Sequence, residues 1–131
     1  MRPAHDLQEV LNLTKDHPDY FTFDAQTWLN KPENVTLVED DNIAFAEYKA
    51  PGVYWVHFCF NTAKGKEAVS LTQRIFEEFC KLKPVKIIYG TIAVENKAAK
   101  WVVRQAGFKS LGEMHTGDFL CEMFYKTNEE L

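Results

Sequence analysis

Three groups of residues in this chain have types and spacings that suit chemistry. His57 is the only base candidate in the apolar run 53–60, and the ordinary histidine pKa of about 6.5 suits proton transfer. The loop 61–66 (Asn-Thr-Ala-Lys-Gly-Lys) leads into a long amphipathic segment, and Asn96 begins another. Because the start of a helix presents free N–H groups and a partial positive charge, this loop is a natural cradle for a pyrophosphate.

Each group also has an ordinary structural interpretation. Asn96 suits the N-cap of its helix, because asparagine is among the preferred capping residues. A single histidine on a strand is commonly a core or interface residue, and the loop can be a strand-to-helix turn with solvated Lys64 and Lys66. The residues alone leave both interpretations open.

Hydrophobic periodicity predicts the helices that must position these groups. They are expected over 6–15 with Asp6 as N-cap, over 23–29 opened by Asp24, from loop 61–66 to the Lys83-Pro84 breaker, and from Asn96 to Gly107. His17-Pro18-Asp19 should end the first helix. The long helix should bury a stripe comprising Ala68, Leu71, Ile75, Phe79 and Leu82.

Aromatic and β-branched residues between turn signals predict the strands. They are expected over 35–38, 43–48, 53–60 and 85–92, with a closing hairpin over 109–126 that turns near Gly117-Asp118. At 131 residues, with no linker or repeat, the chain is predicted to be one domain over residues 1–131. The order of elements predicts an α+β fold with a mixed, mostly antiparallel sheet.

A ladder of residues after the fourth of these strands gives the chain a family resemblance. From Asn96 the spacing runs to Ala99, Val102, Val103 and the pair Gly107-Phe108. This resembles the coenzyme-A-facing helix of the GNAT N-acetyltransferase superfamily, and the predicted order of elements agrees over nearly the whole chain. The resemblance implies a GNAT-like fold whose fourth and fifth strands splay to admit pantetheine.

The same resemblance implies roles for particular residues. Acetyl-CoA would be held by Asn96, through the pantetheine arm, and by loop residues at the pyrophosphate, namely Asn61, Thr62, Lys64, Gly65 and Lys66. Either Asn61 or Thr62 occupies the Arg/Gln position of the family loop, and the second glycine of that loop is missing. His57, or a water, would serve as base where many members have a glutamate. Val103 replaces the usual tyrosine acid.

A narrower likeness covers roughly residues 53–108. Val56-His57 followed by the loop 64–68 (Lys-Gly-Lys-Glu-Ala) looks like short GNAT-like proteins of tailed bacteriophages, including a head-assembly accessory type of P22-like phages. That likeness implies phage virion proteins as partners and a host-cytoplasm or virion setting. It predicts a setting rather than a reaction.

Composition excludes several other classes of protein. The chain is 46% apolar and 14% aromatic, with a net charge of −4 and interspersed charges, which fits a folded domain and argues against nucleic-acid binding. Three cysteines in apolar surroundings form no metal or disulfide pattern. No apolar run approaches a membrane span, so no membrane partner and a cytoplasmic location are expected. The aromatic content suggests a homodimer if part of it is exposed.

Two functions therefore stand side by side. The first is an acetyl-CoA-dependent N-acetyltransferase acting on a small-molecule or protein amine. The second is a non-catalytic phage head-assembly or internal-virion accessory on the same scaffold. The Asn96 ladder favours the first, whereas Val103 and the missing second glycine favour the second.

Overall fold

The computed structural model describes residues 1–16, 25–117 and 119–128. These residues form a mixed seven-stranded sheet with helices packed against it. The elements in chain order are β1 (Arg2–Pro3), α1 (Leu7–Thr14), α2 (Ala25–Leu29), β2 (Val35–Glu39), β3 (Asn42–Ala50), β4 (Val53–Phe60), α3 (Gly65–Leu82), β5 (Ile87–Ala93), α4 (Lys97–Gln105), β6 (Lys109–Thr116) and β7 (Phe119–Thr127). The strand order is β1-β2-β3-β4-β5-β7-β6, with every neighbouring pair antiparallel except β4 and β5. The predicted α+β class with a mixed sheet is confirmed.

Helices cover the two faces of the sheet and create two cores. The larger core lies under α3 and α4 and centres on Phe79, Ile88 and Phe124, which are at most 2% exposed. The smaller core joins α1 and α2 to β2–β4, where Trp28 packs edge-on against Phe45 at 5.6 Å. Alternate residues of β2, β3 and β4 therefore serve opposite cores.

Local signals set most element boundaries. Asp6 caps α1 as predicted, because its carboxylate accepts a hydrogen bond from the backbone N–H of Gln8 at 3.1 Å. Beyond the described residues lie the predicted breaker at 17–19, the helix opening at 23–24 and Asp118 of the predicted hairpin turn. All three cysteines are free.

Two strand assignments and the burial of one residue differ from the sequence predictions. The short β1 was not predicted; it pairs Arg2 with Val38 at the sheet edge. Leu82 was expected in the buried stripe of α3, and this was wrong: it is the last residue of the helix and is 42% exposed. β5 begins at Ile87 rather than residue 85, since the N–H groups of Lys86 and Ile87 both donate to the carbonyl of Gly52.

Candidate functional site

The parallel strands β4 and β5 separate partway along their length. They pair only at Val53–Ile87, Tyr54–Ile88 and Trp55–Tyr89. Beyond these residues, β4 pairs only with β3, and β5 pairs only with β7. We call the gap between residues 56–60 of β4 and residues 90–93 of β5 the fork. Its facing edges carry backbone N–H and C=O groups that no ladder pairs, so an extended, amide-bearing ligand fits there.

Gly90 allows the strands to approach at the closed end of the fork. A Cβ placed on Gly90 would lie 2.8 Å from the carbonyl oxygen of Val56, well inside contact distance. Since that oxygen belongs to the backbone, it cannot rotate away. Any larger residue would therefore force the two strands apart.

Replacing Gly90 with alanine should destabilise the protein by about 1–3 kcal/mol, the usual cost of overpacking. Urea unfolding of the two proteins measures this loss. Ser70→Ala, on the exposed side of α3, is the control and should change stability little. Equal stability of Gly90→Ala and the unmodified chain would contradict the close approach.

The fork opens into a cleft of about 420 Å³. Its walls come from the fork, the start of α3, and the first two turns of α4. Most of the lining is apolar, and the polar and titratable side chains among the lining residues are those of His57, Cys59, Lys64, Thr72, Thr91 and Asn96. The cleft is thus a largely apolar slot with polar groups along its rim.

The start of α3 forms one end of the cleft and is open to an anion. Lys64 is the N-cap and makes no side-chain capping bond, so the first N–H groups of the helix have no side-chain acceptor. Gly65 has φ +57, a left-handed conformation that glycine adopts without strain. Lys64 and Lys66 are both exposed and add positive charge. This end can hold a phosphate group.

The loop before α3 is held by Asn42 from inside the protein. The Oδ1 of Asn42, 4% exposed, accepts hydrogen bonds from the N–H groups of Thr62 and Ala63 at 3.0 and 3.1 Å, and its Nδ2 donates to Thr62 Oγ1. Asn61 Nδ2 donates to the carbonyls of Leu13 and Asp41. These bonds use the Asn61 and Thr62 side chains to fix the loop.

Asn96 lies on the rim of the cleft as the N-cap of α4. Its Oδ1 accepts a hydrogen bond from the N–H of Ala99 at 3.1 Å, so the capping role is real. Asn96 is exposed, and its Nδ2 donates no hydrogen bond within the described part of the chain. The amide group can therefore donate to a ligand while it caps the helix. Glu122 of β7 steadies α4 by accepting from Arg104 at 2.7 Å.

His57 lines the cleft from the sheet face opposite α3 and α4. Its ring lies 6.0 Å from that of Trp55. The sequence suggested an ordinary pKa near 6.5, and this expectation was wrong. Burial lowers the pKa of His57 to about 4; the nearby Glu47 charge raises it and Lys49 lowers it further, both by smaller amounts. The imidazole is consequently neutral at neutral pH and a weak base.

The cleft contains no tyrosine among its lining residues in the described chain. Val103 is 5% exposed and packs there as an apolar wall. Tyr89 packs against Trp55 instead, and Tyr125 lines a separate groove beside α3. Thr91 and Cys59 do line the cleft, and burial raises the pKa of the Cys59 thiol to about 12. Sequence reasoning missed both, because they line the cleft only where β4 and β5 separate.

Of the seven residues singled out from the sequence, four line this cleft: His57, Lys64, Gly65 and Asn96. Asn61, Thr62 and Lys66 belong to the same turn but are not among its lining residues. Across the described ranges, no cluster of three or more His, Cys, Asp or Glu residues is arranged to hold a metal ion. Over the same ranges, no helix is both long and apolar enough to cross a membrane.

Solved structures of acetyltransferases share this architecture. A variant of spermidine N-acetyltransferase from Vibrio cholerae has a TM-score of 0.76 at 15% identity, covering 96% of this chain and 93% of that one. A ribosomal-protein-alanine N-acetyltransferase from Brucella melitensis has a TM-score of 0.74 at 17% identity, covering 97% and 98%. The aminoglycoside acetyltransferase AAC(6')-Ib, solved with acetyl-CoA, has a TM-score of 0.71 at 18% identity, covering 98% and 92%.

No protein-family model and no curated protein sequence matches the chain. The structural likenesses, at 15–18% identity, establish the fold. The chain has the GNAT acyltransferase fold, as the ladder from Asn96 to Phe108 implied.

Proposed function

We propose that this chain, which has the fold of the GNAT acetyltransferases, transfers the acetyl group of acetyl-CoA to an amine. The observation that carries the proposal is the fork, which leads from an uncapped helix start to an apolar closed end. Phosphates suit the N–H groups and lysine charge at residues 64–66, and the amides of pantetheine suit the unpaired strand edges. Asn96 Nδ2 then donates to the same arm.

The transfer itself needs little from the protein beyond positioning. The amine nitrogen forms a bond to the acetyl carbonyl carbon, the carbon–sulfur bond breaks, and the sulfur leaves with its electron pair. The amine proton passes to neutral His57 or to a water, and a water protonates the thiolate because Val103 cannot. Holding the two reactants in contact supplies a large share of the rate enhancement.

Calorimetric titration with coenzyme A and acetyl-CoA tests this proposal. We expect micromolar binding of both and release of coenzyme A when an amine is added. No binding at millimolar ligand would overturn the proposal.

Asn96→Ala should weaken coenzyme A binding by roughly 5- to 10-fold, the value of one hydrogen bond. The same change also removes the N-cap and costs about 1 kcal/mol of stability. Asn96→Asp separates the two effects, since it keeps the capping oxygen and loses the N–H donor. We expect Asn96→Asp to retain stability but lose affinity. Full affinity in both variants would remove Asn96 from the binding site.

The second candidate is a non-catalytic accessory of phage heads. Buried Val103 leaves the cleft without the family's tyrosine, which favours a protein without turnover but does not bear on phage heads. The two candidates differ in one measurement: the accessory requires no coenzyme A, whereas the enzyme requires it. Binding that falls in Asn96→Asp would rule out a purely structural role.

A further inference from the structure

An aromatic row crosses the sheet at the closed end of the fork. The pairing registers align Glu47 of β3, Trp55 of β4, Tyr89 of β5 and Tyr125 of β7 in one line. Alternate strand residues point to opposite faces, and the neighbours of this line pack in the core under α3 and α4. These neighbours are Ala46, Tyr54, Ile88 and Phe124. Glu47, Trp55 and Tyr89 therefore lie on the other face, and Tyr125 continues the line on β7, where it also lines the groove beside α3.

The members of the row form a half-buried π surface with a carboxylate at one end. The rings of Trp55 and Tyr89 meet edge to face at 4.8 Å, and Trp55 also contacts His57. Trp55, Tyr89 and Tyr125 are each partly exposed, as is the Glu47 side chain at 25%. An aromatic ring that is partly shielded from water but still accessible to a ligand can bind a cation over its face.

The row also lies where the reaction would occur. Because the proposed ligand is anchored by its phosphates at Gly65, its arm runs down the fork toward Val56, roughly 13 Å along four residues of β4. Its thioester end then lies at the closed end, beside Trp55 and Tyr89. The α3–α4 side of the cleft is filled by the ligand, so an acceptor approaches from the face that bears His57.

We propose that the acceptor is an amine with a second positive charge, and this inference rests on the proposed acetyl transfer. The second charge is held by the Trp55–Tyr89 rings and the Glu47 carboxylate. The reacting amine lies beside His57 and the second cation lies over the row. Lys49 now pairs with Glu47 at 2.6 Å, but its side chain is 44% exposed. Such an exposed pair contributes little, so an incoming ammonium displaces Lys49 at small cost.

Three amines of equal chain length test the proposal: 1,4-diaminobutane, butylamine and 4-aminobutyrate. They share the reacting amine and differ only at the far end, which is cationic, apolar or anionic. With acetyl-CoA saturating, we expect kcat/KM for the diamine to exceed that for butylamine by about 5- to 10-fold, as cation–π and carboxylate contacts predict. The anionic acceptor should be the poorest.

Glu47→Gln and Trp55→Leu should each reduce the diamine preference, which is the ratio of kcat/KM for the diamine to kcat/KM for butylamine. Their matched controls are Glu78→Gln, at a partly exposed side chain, and Trp101→Leu, at an exposed one; both lie outside the row and should preserve the preference. If Trp55→Leu does not fold, the diamine preference of the conservative variant Glu47→Gln tests the proposal. Equal use of the three amines, or an unchanged preference in Glu47→Gln, overturns this inference alone. Absence of acetyl-CoA binding and of turnover with every amine overturns it together with the proposed function.

Discussion

Replacing Ala99 with phenylalanine should lower coenzyme A affinity by at least about 100-fold, or about 2.7 kcal/mol, while the protein stays folded. Ala99 faces the cleft from the first turn of α4 and is only half buried, so the larger ring has room to enter the ligand space rather than the core. A phenyl ring at this position would project into the cleft of about 420 Å³ and occupy space that the pantetheine arm is proposed to take. Calorimetry with coenzyme A measures the loss.

Gln105→Phe provides the matched control for this change. It adds the same ring to the same helix at an exposed position that does not line the cleft. Both variants should unfold within a few degrees of the unmodified protein, because exchanging these residues for phenylalanine on a helix surface costs only about 0.5 kcal/mol. Undiminished affinity in Ala99→Phe would show that coenzyme A binds elsewhere or not at all.

Lowering the pH from 6.5 to 4 should destabilise the protein by about 3 kcal/mol through His57 alone. Burial lowers the pKa of His57 from 6.5 in the unfolded chain to about 4 in the folded one. Between these values the unfolded state binds a proton that the folded state does not, so acid favours unfolding. The stabilisation is complete above pH 6.5 and is lost progressively down to pH 4, at about 1.4 kcal/mol per pKa unit.

Urea unfolding at several pH values checks this expectation. His57→Leu removes the titrating group, so its stability should vary less between pH 6.5 and 4 than that of the unmodified chain. His5→Gln is the control, since His5 is exposed, and it should retain the full pH dependence. Identical pH dependence in His57→Leu and the unmodified chain would refute a buried, neutral His57.

The elements of the fold were largely readable from local patterns. The strands from residue 35 to 60 and the buried stripe of α3 follow directly from period-2 and period-3.6 spacing, and Asp6 and Asn96 cap their helices as expected. The exceptions depend on distant partners. β1 exists because Arg2 meets Val38 across the sheet, and β5 starts late because Gly52 takes its first N–H groups.

The site was only partly readable from the sequence. The spacing from Asn96 to Phe108 predicted one wall of the cleft, and the loop pattern predicted that Lys64 and Gly65 belong to the site. The role of Thr62 in fixing the loop depends on Asn42, and that of Asn61 depends on the carbonyls of Leu13 and Asp41; no local pattern connects these distant partners to the loop. Thr91 and Cys59 entered the cleft only when two strands separated.

The sequence by itself determined the order and type of the elements and the capped helix at Asn96, because these depend on neighbours within a few residues. Only the tertiary structure decided that β4 and β5 separate after Trp55 and Tyr89, that His57 titrates near pH 4, and that an aromatic row lies at the closed end of the fork. Each of these depends on strand pairing and burial between segments about 30 residues apart. Pairing and desolvation are properties of the packed sheet, so they have no local signature.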